Sequence, residues 1–389
     1  MHISGISNIL KINYFSLCGT LFFILFIFFK TQLLEGVYVS HIVLFLIFIY
    51  LSIRTLIINE KYFLFYIFIV LLLIMASILP VIGYGAEQRM FREFIKIILI
   101  VVIPILIHFS WSSESIWKFL SYLPYVTLLS VMLQILFEPT ILGRYTLLAD
   151  ASANTTGLFL LFNIIVLHFK NTSSFVMSLL KIIMYSVFLL LLILTFSRSN
   201  LIAYLIFLLF KGNITNILII SSFIISVLFI LPNIEYFSSI IDTIDVFHRY
   251  NIIAAINETG GSLRLPLWKM LVTKWLDNPF SWLFGFGSGS INLSISNKIF
   301  LSAHSVILST IYYFGIFGII GLLMALSKIW QILKKRNEFT HIKESLIIIF
   351  LVTGIFDNII LASQITFFVA IFLGFVVSVP KNKRIVKRN

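Results

Sequence analysis

Apolar runs as long as a membrane-spanning helix recur along the whole chain. About 20 apolar residues in a helix cross the roughly 30 Å hydrocarbon layer of a bilayer. Only 11% of the 389 residues are charged, whereas soluble domains carry about 25%, so a soluble globular protein is excluded. The sequence predicts an all-α polytopic membrane protein with about 12 transmembrane helices. The runs lie near residues 12–29, 37–57, 62–82, 95–110, 119–137, 154–169, 175–196, 200–210, 214–232, 303–326, 345–360 and 362–379.

The lysines and arginines fall unevenly on the two sides of the predicted membrane. Basic clusters at residues 328–343 and 381–388 mark two cytoplasmic points, because short cytoplasmic loops are rich in Lys and Arg. With twelve crossings, both termini lie in the cytoplasm. The inner segments carry 17 Lys and Arg against 4 Asp and Glu, while the outer segments carry 11 of each. Topology therefore explains the net charge of +13, and no nucleic acid is predicted as a partner.

Arginine is concentrated on the predicted outer face. Six of the 11 outer cations are Arg, against four of the 17 inner ones. A guanidinium group binds phosphate oxygens through two parallel hydrogen bonds, so this bias favours an anionic ligand outside the membrane. The alternative is that these arginines pair with the outer carboxylates. The six residues are Arg89, Arg92, Arg144, Arg198, Arg249 and Arg264.

The chain is interpreted as one integral membrane domain, residues 1–389, with one large periplasmic loop over 233–302 between spans nine and ten. A loop of this length is typical of functional segments, and this one holds Trp268, Trp275 and Trp282. Cys18 is the single cysteine, so no intramolecular disulfide can form. No HExxH, CxxC or EF-hand pattern is present, and neither a metal nor another cofactor is predicted.

The first candidate site is the segment Ser197-Arg198-Ser199-Asn200, between two apolar runs. Residues 175–210 are too long for one crossing, so the chain is predicted to break near Arg198. The next run would rise only about 17 Å as a helix, which places Arg198 in a recess below the outer surface. Ser199 or Asn200 would cap that helix, whose free N–H groups favour phosphate oxygens. The alternative is an interfacial arginine that extends to the headgroups from an ordinary turn.

The second candidate site is Arg264 in the large loop. Ser262 is predicted to cap an amphipathic helix that lies along the membrane. Arg264 then falls in the first turn, where the helix dipole opposes a cation, so an anionic partner would offset the cost. Farther along, alternating glycines around Gly287 let the backbone approach a ligand or turn sharply. No strand precedes them, so a dinucleotide site is not predicted.

The third candidate is His304, at the outer mouth of span ten. Its neutral imidazole could accept a proton from a sugar hydroxyl, and the alternative is a structural histidine at a helix start. Weaker candidates are two further arginines for the anionic ligand and three carboxylates that could act as a base. These are Arg249, Arg144, Asp242, Asp245 and Asp277.

In their order and outer placement these motifs resemble the bacterial O-antigen polymerase and O-antigen ligase family of integral membrane glycosyltransferases. The resemblance is strongest over about residues 190–325, and Ser305 departs from the family's commoner His-Asn pair. It implies a GT-C-like fold in the bacterial inner membrane with a periplasmic active site. The motifs are Ser197-Arg198-Ser199, Ser262-Leu263-Arg264 before Trp268, Asn278-Pro279 to Gly285-Phe286-Gly287, and Ala303-His304-Ser305.

Such enzymes transfer a glycan from undecaprenyl diphosphate to a sugar hydroxyl of another glycan lipid. The resemblance implies that Arg198 and Arg264 bind the diphosphate and that His304 contacts or activates the acceptor. It also implies an undecaprenyl diphosphate-linked oligosaccharide, the lipid bilayer, a chain-length regulator and a flippase as partners. Further predicted substrate contacts are Ser199, Gly287, Arg249 and Arg144.

Two other functions stay open beside the polymerase, which is preferred. An O-antigen ligase uses the same donor and delivers the glycan to lipid A core, so the sequence barely separates the two enzymes. A lipid-linked oligosaccharide flippase or other transporter is the alternative from another class. Transporters place ionisable groups near the bilayer midplane, whereas nearly every charge here falls at a span end, with Lys181 as the exception.

Overall fold

The structure is a computed structural model, and it describes only part of the chain. The described residues are 32–34, 37–38, 97, 100–108, 111–137, 153–172, 174–195, 197–211, 264–295, 298–300, 302–356, 366–378 and 380. The predicted spans 12–29, 62–82 and 214–232, most of 37–57 and the first part of the large loop lie outside them. The described residues are mostly helical.

The elements follow one another as short antiparallel hairpins and helices. Residues 100–108 are helical. The strands pair as β1 with β2 and as β3 with β4. In chain order the elements are β1 (Gln32–Leu34), β2 (Val37–Tyr38), α1 (Ser113–Leu120), α2 (Leu123–Phe137), α3 (Ala153–Phe169), α4 (Phe175–Leu194), α5 (Arg198–Lys211), α6 (Arg264–Leu276), α7 (Pro279–Phe284), β3 (Leu293–Ile295), β4 (Lys298–Phe300), α8 (Val306–Lys334), α9 (Thr340–Phe356) and α10 (Thr366–Val377).

Helix α3 forms the centre of the larger hydrophobic core. Residues 155–167 are all buried, and the helix packs against α2, α4, α5 and α9. The ring of Phe162 lies 5.1 Å from that of Phe350 and 4.1 Å from that of Phe372, measured between centroids. A helix that is buried all round must be apolar all round, and the run from Leu158 to Leu167 meets that condition apart from Asn163.

Two described helices, α4 and α8, are long and apolar enough to cross a membrane. They coincide with the predicted spans 175–196 and 303–326. Neither is the buried core helix of a soluble domain, because large apolar side chains such as Val176, Phe317 and Leu323 are exposed on them. The structure thus supports membrane-spanning helices in part of the chain, and the number of twelve spans stays a prediction.

Helix α8 is broken at Gly315, whose φ is 59° and ψ is −146°. In a regular helix the carbonyls of Tyr312 and Tyr313 would accept bonds from amides four residues farther on. Here the N–H of Phe286 donates to Tyr312 at 2.8 Å, and the N–H of Gly287 donates to Tyr313 at 3.0 Å. The glycine loop after α7 is thereby hydrogen-bonded to the break in α8.

A buried lysine joins α1, α9 and α10 at one end of the bundle. The Lys343 amine donates to Ser378 O at 2.6 Å and Ser113 Oγ at 3.1 Å, and lies 5.3 Å from the Phe375 ring centre. The sequence predicted that Lys343 is the last residue of a basic cytoplasmic loop, residues 328–343. In the structure α9 begins at Thr340, so Lys343 lies in the first turn of this helix.

Other polar contacts between helix ends match the predicted alternation of sides. Lys211 and Glu344 form an ion pair at 2.9 Å, and both belong to predicted inner segments. The amine of Lys181, the exception noted in the sequence, reaches back along α4 and donates to Lys170 O at 2.7 Å. Lysine side chains commonly extend in this way to the membrane boundary. Which end faces the cytoplasm stays a prediction.

We expect Gly285→Ala and Gly315→Ala to destabilise the protein strongly. Both glycines have positive φ, which costs another residue about 1–3 kcal/mol, and a Cβ at Gly315 would lie 2.5 Å from Trp282 O. Gly321→Ala is the matched control on the same helix, because a Cβ there meets nothing within 4 Å. Thermal unfolding in detergent should show lowered midpoints for the first two variants only. Equal midpoints for all three would contradict the described break.

Candidate functional site

The chain breaks between α4 and α5, as predicted, and α5 begins at Arg198. The predicted cap, Ser199 or Asn200, was wrong by two or three residues. Ser197 precedes the helix, and its carbonyl accepts the bond from Leu201 N at 3.1 Å, so Ser199 and Asn200 lie inside the first turn. The helix has 14 residues and is about 21 Å long, shorter than the hydrocarbon layer. The side chain of Arg198 lies outside the described residues.

Asn200 fixes the start of α5 against α3. Its amide nitrogen donates to Asn154 O and to Ser197 Oγ, each at 2.7 Å. The two helices approach closely here, since a Cβ at Gly157 would lie 2.5 Å from the Asn200 amide nitrogen. The direction of the first turn of α5, and with it the backbone of Arg198, depends on this amide.

The junction of α3, α4 and α5 is a buried polar cluster. Small hydroxyl and amide side chains meet here instead of apolar ones. The Asn200 Oδ1 atom is buried and has no hydrogen-bond partner among the described residues, so the cluster keeps one unused acceptor. Such groups at the start of a helix suit a polar ligand. The residues are Thr155, Thr156, Thr195, Ser197, Ser199 and Asn200.

Arg264 is the first residue of α6, as predicted, although the proposed cap Ser262 lies outside the described residues. The residue is partly buried. Trp268 lies one turn farther along the same face, and its indole N–H donates to Ala303 O at 2.7 Å. This bond holds α6 against the segment that leads into α8. No role in the site was predicted for Trp268 from the sequence. Its spacing of four residues from Arg264 already predicts that the two side chains lie on one face of the helix.

His304 follows Ala303 directly, so the Trp268 bond brings Arg264 and His304 into one region. Its φ of 49° makes it the sole non-glycine residue with positive φ among those described. This conformation is uncommon for a residue with a Cβ, and strained residues cluster at functional sites. Ser305 then caps α8 by accepting from Leu308 N at 3.4 Å. Serine and asparagine are both good caps, so Ser305 can replace the asparagine of the commoner motif.

Gly287 is buried, with a φ of 85°. Its N–H donates to Tyr313 O, and its carbonyl accepts from the Ser290 hydroxyl at 2.7 Å. Both backbone groups are thus engaged within the protein. These bonds favour a role for Gly287 in the sharp turn over a role in backbone contact with a ligand.

Among the remaining candidates, the structure describes only Asp277, which lies away from this region. Asp277 follows the last residue of α6 and is exposed, about 20 Å along the helix from Arg264. Arg144, Arg249, Asp242 and Asp245 lie outside the described residues. The convergence of Arg198 with Arg264 stays a prediction.

No protein-family model matches the chain, and no curated protein matches it.

We expect Asn200→Ala to lower the free energy of unfolding by about 1–3 kcal/mol, because it removes both amide bonds of a buried group. Ser199→Ala should change it much less, since the described bond of that hydroxyl is a long 3.3 Å contact with Ser197 Oγ. Chemical or thermal unfolding in detergent would measure both. If Ser199→Ala lowered the free energy of unfolding as much as Asn200→Ala does, the described hydrogen bonds of Asn200 would be contradicted.

Proposed function

We propose that the chain is an O-antigen, or surface polysaccharide, polymerase of the bacterial inner membrane. It transfers a glycan from undecaprenyl diphosphate to a sugar hydroxyl of another lipid-linked repeat unit at the periplasmic face. The observation that carries the proposal is the bond from Trp268 to Ala303 O at 2.7 Å. That bond joins the helix that begins with Arg264 to Ala303, the residue directly before His304, whose φ is positive.

Arg264 serves as an electrostatic anchor for the diphosphate. Arg264 lies at the positive end of the α6 helix dipole, and its guanidinium group is a bidentate donor for phosphate oxygens. A cation at this end of a helix is unfavourable by itself. A doubly charged pyrophosphoryl group offsets this repulsion, because it is attracted both to the guanidinium group and to the positive end of the helix dipole. Arg198, at the start of α5, supplies the second cation in this proposal.

The chemistry is an inverting displacement. The acceptor hydroxyl oxygen attacks the anomeric carbon of the donor sugar, and the bond from that carbon to the diphosphate oxygen breaks. His304 takes the hydroxyl proton, and undecaprenyl diphosphate leaves with the electron pair. Charge grows on the leaving oxygen while the sugar gains oxocarbenium character, so preorganised arginines lower the barrier. The donor is already activated, and no nucleotide is consumed.

Substitutions separate these roles from folding. We expect Arg198→Ala and Arg264→Ala to abolish long glycan chains, and Arg264→Lys to restore them only in part, because lysine cannot form the bidentate pair. His304→Gly should also abolish them while keeping the fold, since glycine accepts the φ of 49° without strain. Asp277→Asn, at the far end of α6, should leave the chains unchanged.

The readout is a gel ladder of surface polysaccharide from cells with matched amounts of membrane-inserted protein. Normal ladders from the two arginine-to-alanine variants would disprove the diphosphate site. A reconstituted assay then identifies the acceptor, with undecaprenyl diphosphate repeat units as the only donor and acceptor. Chain growth supports a polymerase, whereas product formation only after lipid A core is added would show a ligase.

A further inference from the structure

We infer that α6 and α7 form a hairpin that docks into the outer leaflet of the bilayer, with lipid as its partner. The hairpin presents an apolar edge that no described residue covers. Its large side chains are 38–64% exposed, which is more than single surface apolar residues require. The edge consists of Leu265, Val272, Leu276, Phe280, Trp282 and Leu283.

The hairpin is rigid, so its edge moves as one unit. The indole N–H of Trp275 donates to Ser281 O at 2.7 Å, and that of Trp282 donates to Leu276 O at 2.8 Å. The Ser281 hydroxyl donates back to Trp275 O at 2.8 Å. Both indole N–H groups are satisfied within the hairpin, and the Trp282 ring can therefore enter an apolar medium without losing a bond to water.

The break in α8 fixes the hairpin at the level of the membrane boundary. After Gly315, residues 316–334 form 19 residues of helix, or about 28 Å, which matches the roughly 30 Å of hydrocarbon. In this proposal the tenth span lies at 316–334 instead of the predicted 303–326, with Lys328 and Lys334 extending to the inner headgroups. Gly315 therefore lies at the outer boundary if this segment spans the membrane. The backbone of Leu283 packs directly on Gly315, so α7 lies at the same depth.

The exposed surface of α8 continues into the hairpin without a polar gap. The Phe284 ring stacks on Phe317 with centroids 5.5 Å apart, and Phe317, Ile320 and Met324 follow down α8 as an exposed apolar stripe. A stripe that faces lipid on a spanning helix thus extends onto α7. This continuity favours lipid over a second protein as the occupant of the edge.

Charge and aromatic positions agree with a bilayer partner. Lys269 is exposed on the same face of α6 as Leu265 and Val272, in the way that interfacial helices place lysine near lipid headgroups. Tryptophans mark both membrane boundaries in many proteins. Here Trp282 lies at the outer end of the spanning segment, and Trp330, with Lys334 6.0 Å from its ring centre, lies at the inner end.

Docking has a consequence for the site, and this consequence rests on the proposed function. A helix that lies along the surface keeps one depth over its length. The hairpin would then hold Arg264 at the level of the lipid phosphates, where the diphosphate of a polyprenyl donor also lies.

The test measures depth and involves no glycan transfer, so it can fail independently of the proposed enzyme. In a Cys18→Ser background, an environment-sensitive fluorophore is attached at Leu283→Cys. The protein is reconstituted in phosphatidylethanolamine–phosphatidylglycerol vesicles that contain lipids with a spin quencher near the headgroup or deep in the chain. Leu323→Cys on the stripe of α8 is the membrane reference, and Asn292→Cys, which is exposed after the glycine loop, is the aqueous reference.

We expect the label at 283 to be quenched at least about twofold more strongly by the shallow quencher than the label at 292, as for an interfacial helix. It should also be protected from aqueous iodide, and Leu276→Cys should behave in the same way. Equal exposure of positions 283 and 292 to iodide would overturn the proposal. Protection from iodide without lipid quenching would overturn it as well, because protein would then cover the edge.

Discussion

The packing of α6 and α7 on the first half of α8 depends on two backbone hydrogen bonds at the break in α8. The carbonyls of Tyr312 and Tyr313 accept from the amides of Phe286 and Gly287, instead of following the pattern of a continuous helix. A backbone group left without a partner near hydrocarbon costs several kcal/mol, so the break and the glycine loop stabilise each other. Through the loop, α7 and the end of α6 are fixed, and Trp268 fixes the other end of α6 beside His304.

The two ends of the helical bundle differ in chemistry. At one end, small hydroxyl and amide groups surround the start of α5, and Asn200 keeps an unused acceptor. At the other end, lysines such as Lys343 and Lys211 bond to carbonyls, hydroxyls or a carboxylate. The first end could receive a polar ligand, whereas the second resembles an anchored cytoplasmic surface. The proposed enzyme uses this asymmetry, because its donor and acceptor both lie outside.

The sequence predicted the features that depend on local pattern. The limits of α3 and α4, the break near Arg198 and the position of Arg264 in the first turn of α6 follow from apolar run length and helix-start signals. It could not predict the break at Gly315, since that depends on a loop thirty residues earlier in the chain. It also did not predict the burial of Lys343, because burial of a lysine is decided by neighbours from distant helices. Charge and motif order alone suggested the site.

The central claim is that Arg198 and Arg264 act on one ligand at one face of the membrane. Spin labels at Arg198→Cys and Arg264→Cys in a Cys18→Ser background, measured in lipid nanodiscs by pulsed dipolar spectroscopy, test it directly. The account predicts a single separation below about 25 Å, less than the hydrocarbon thickness. A separation above about 30 Å, or accessibility of the two labels from opposite sides of the bilayer, would contradict it.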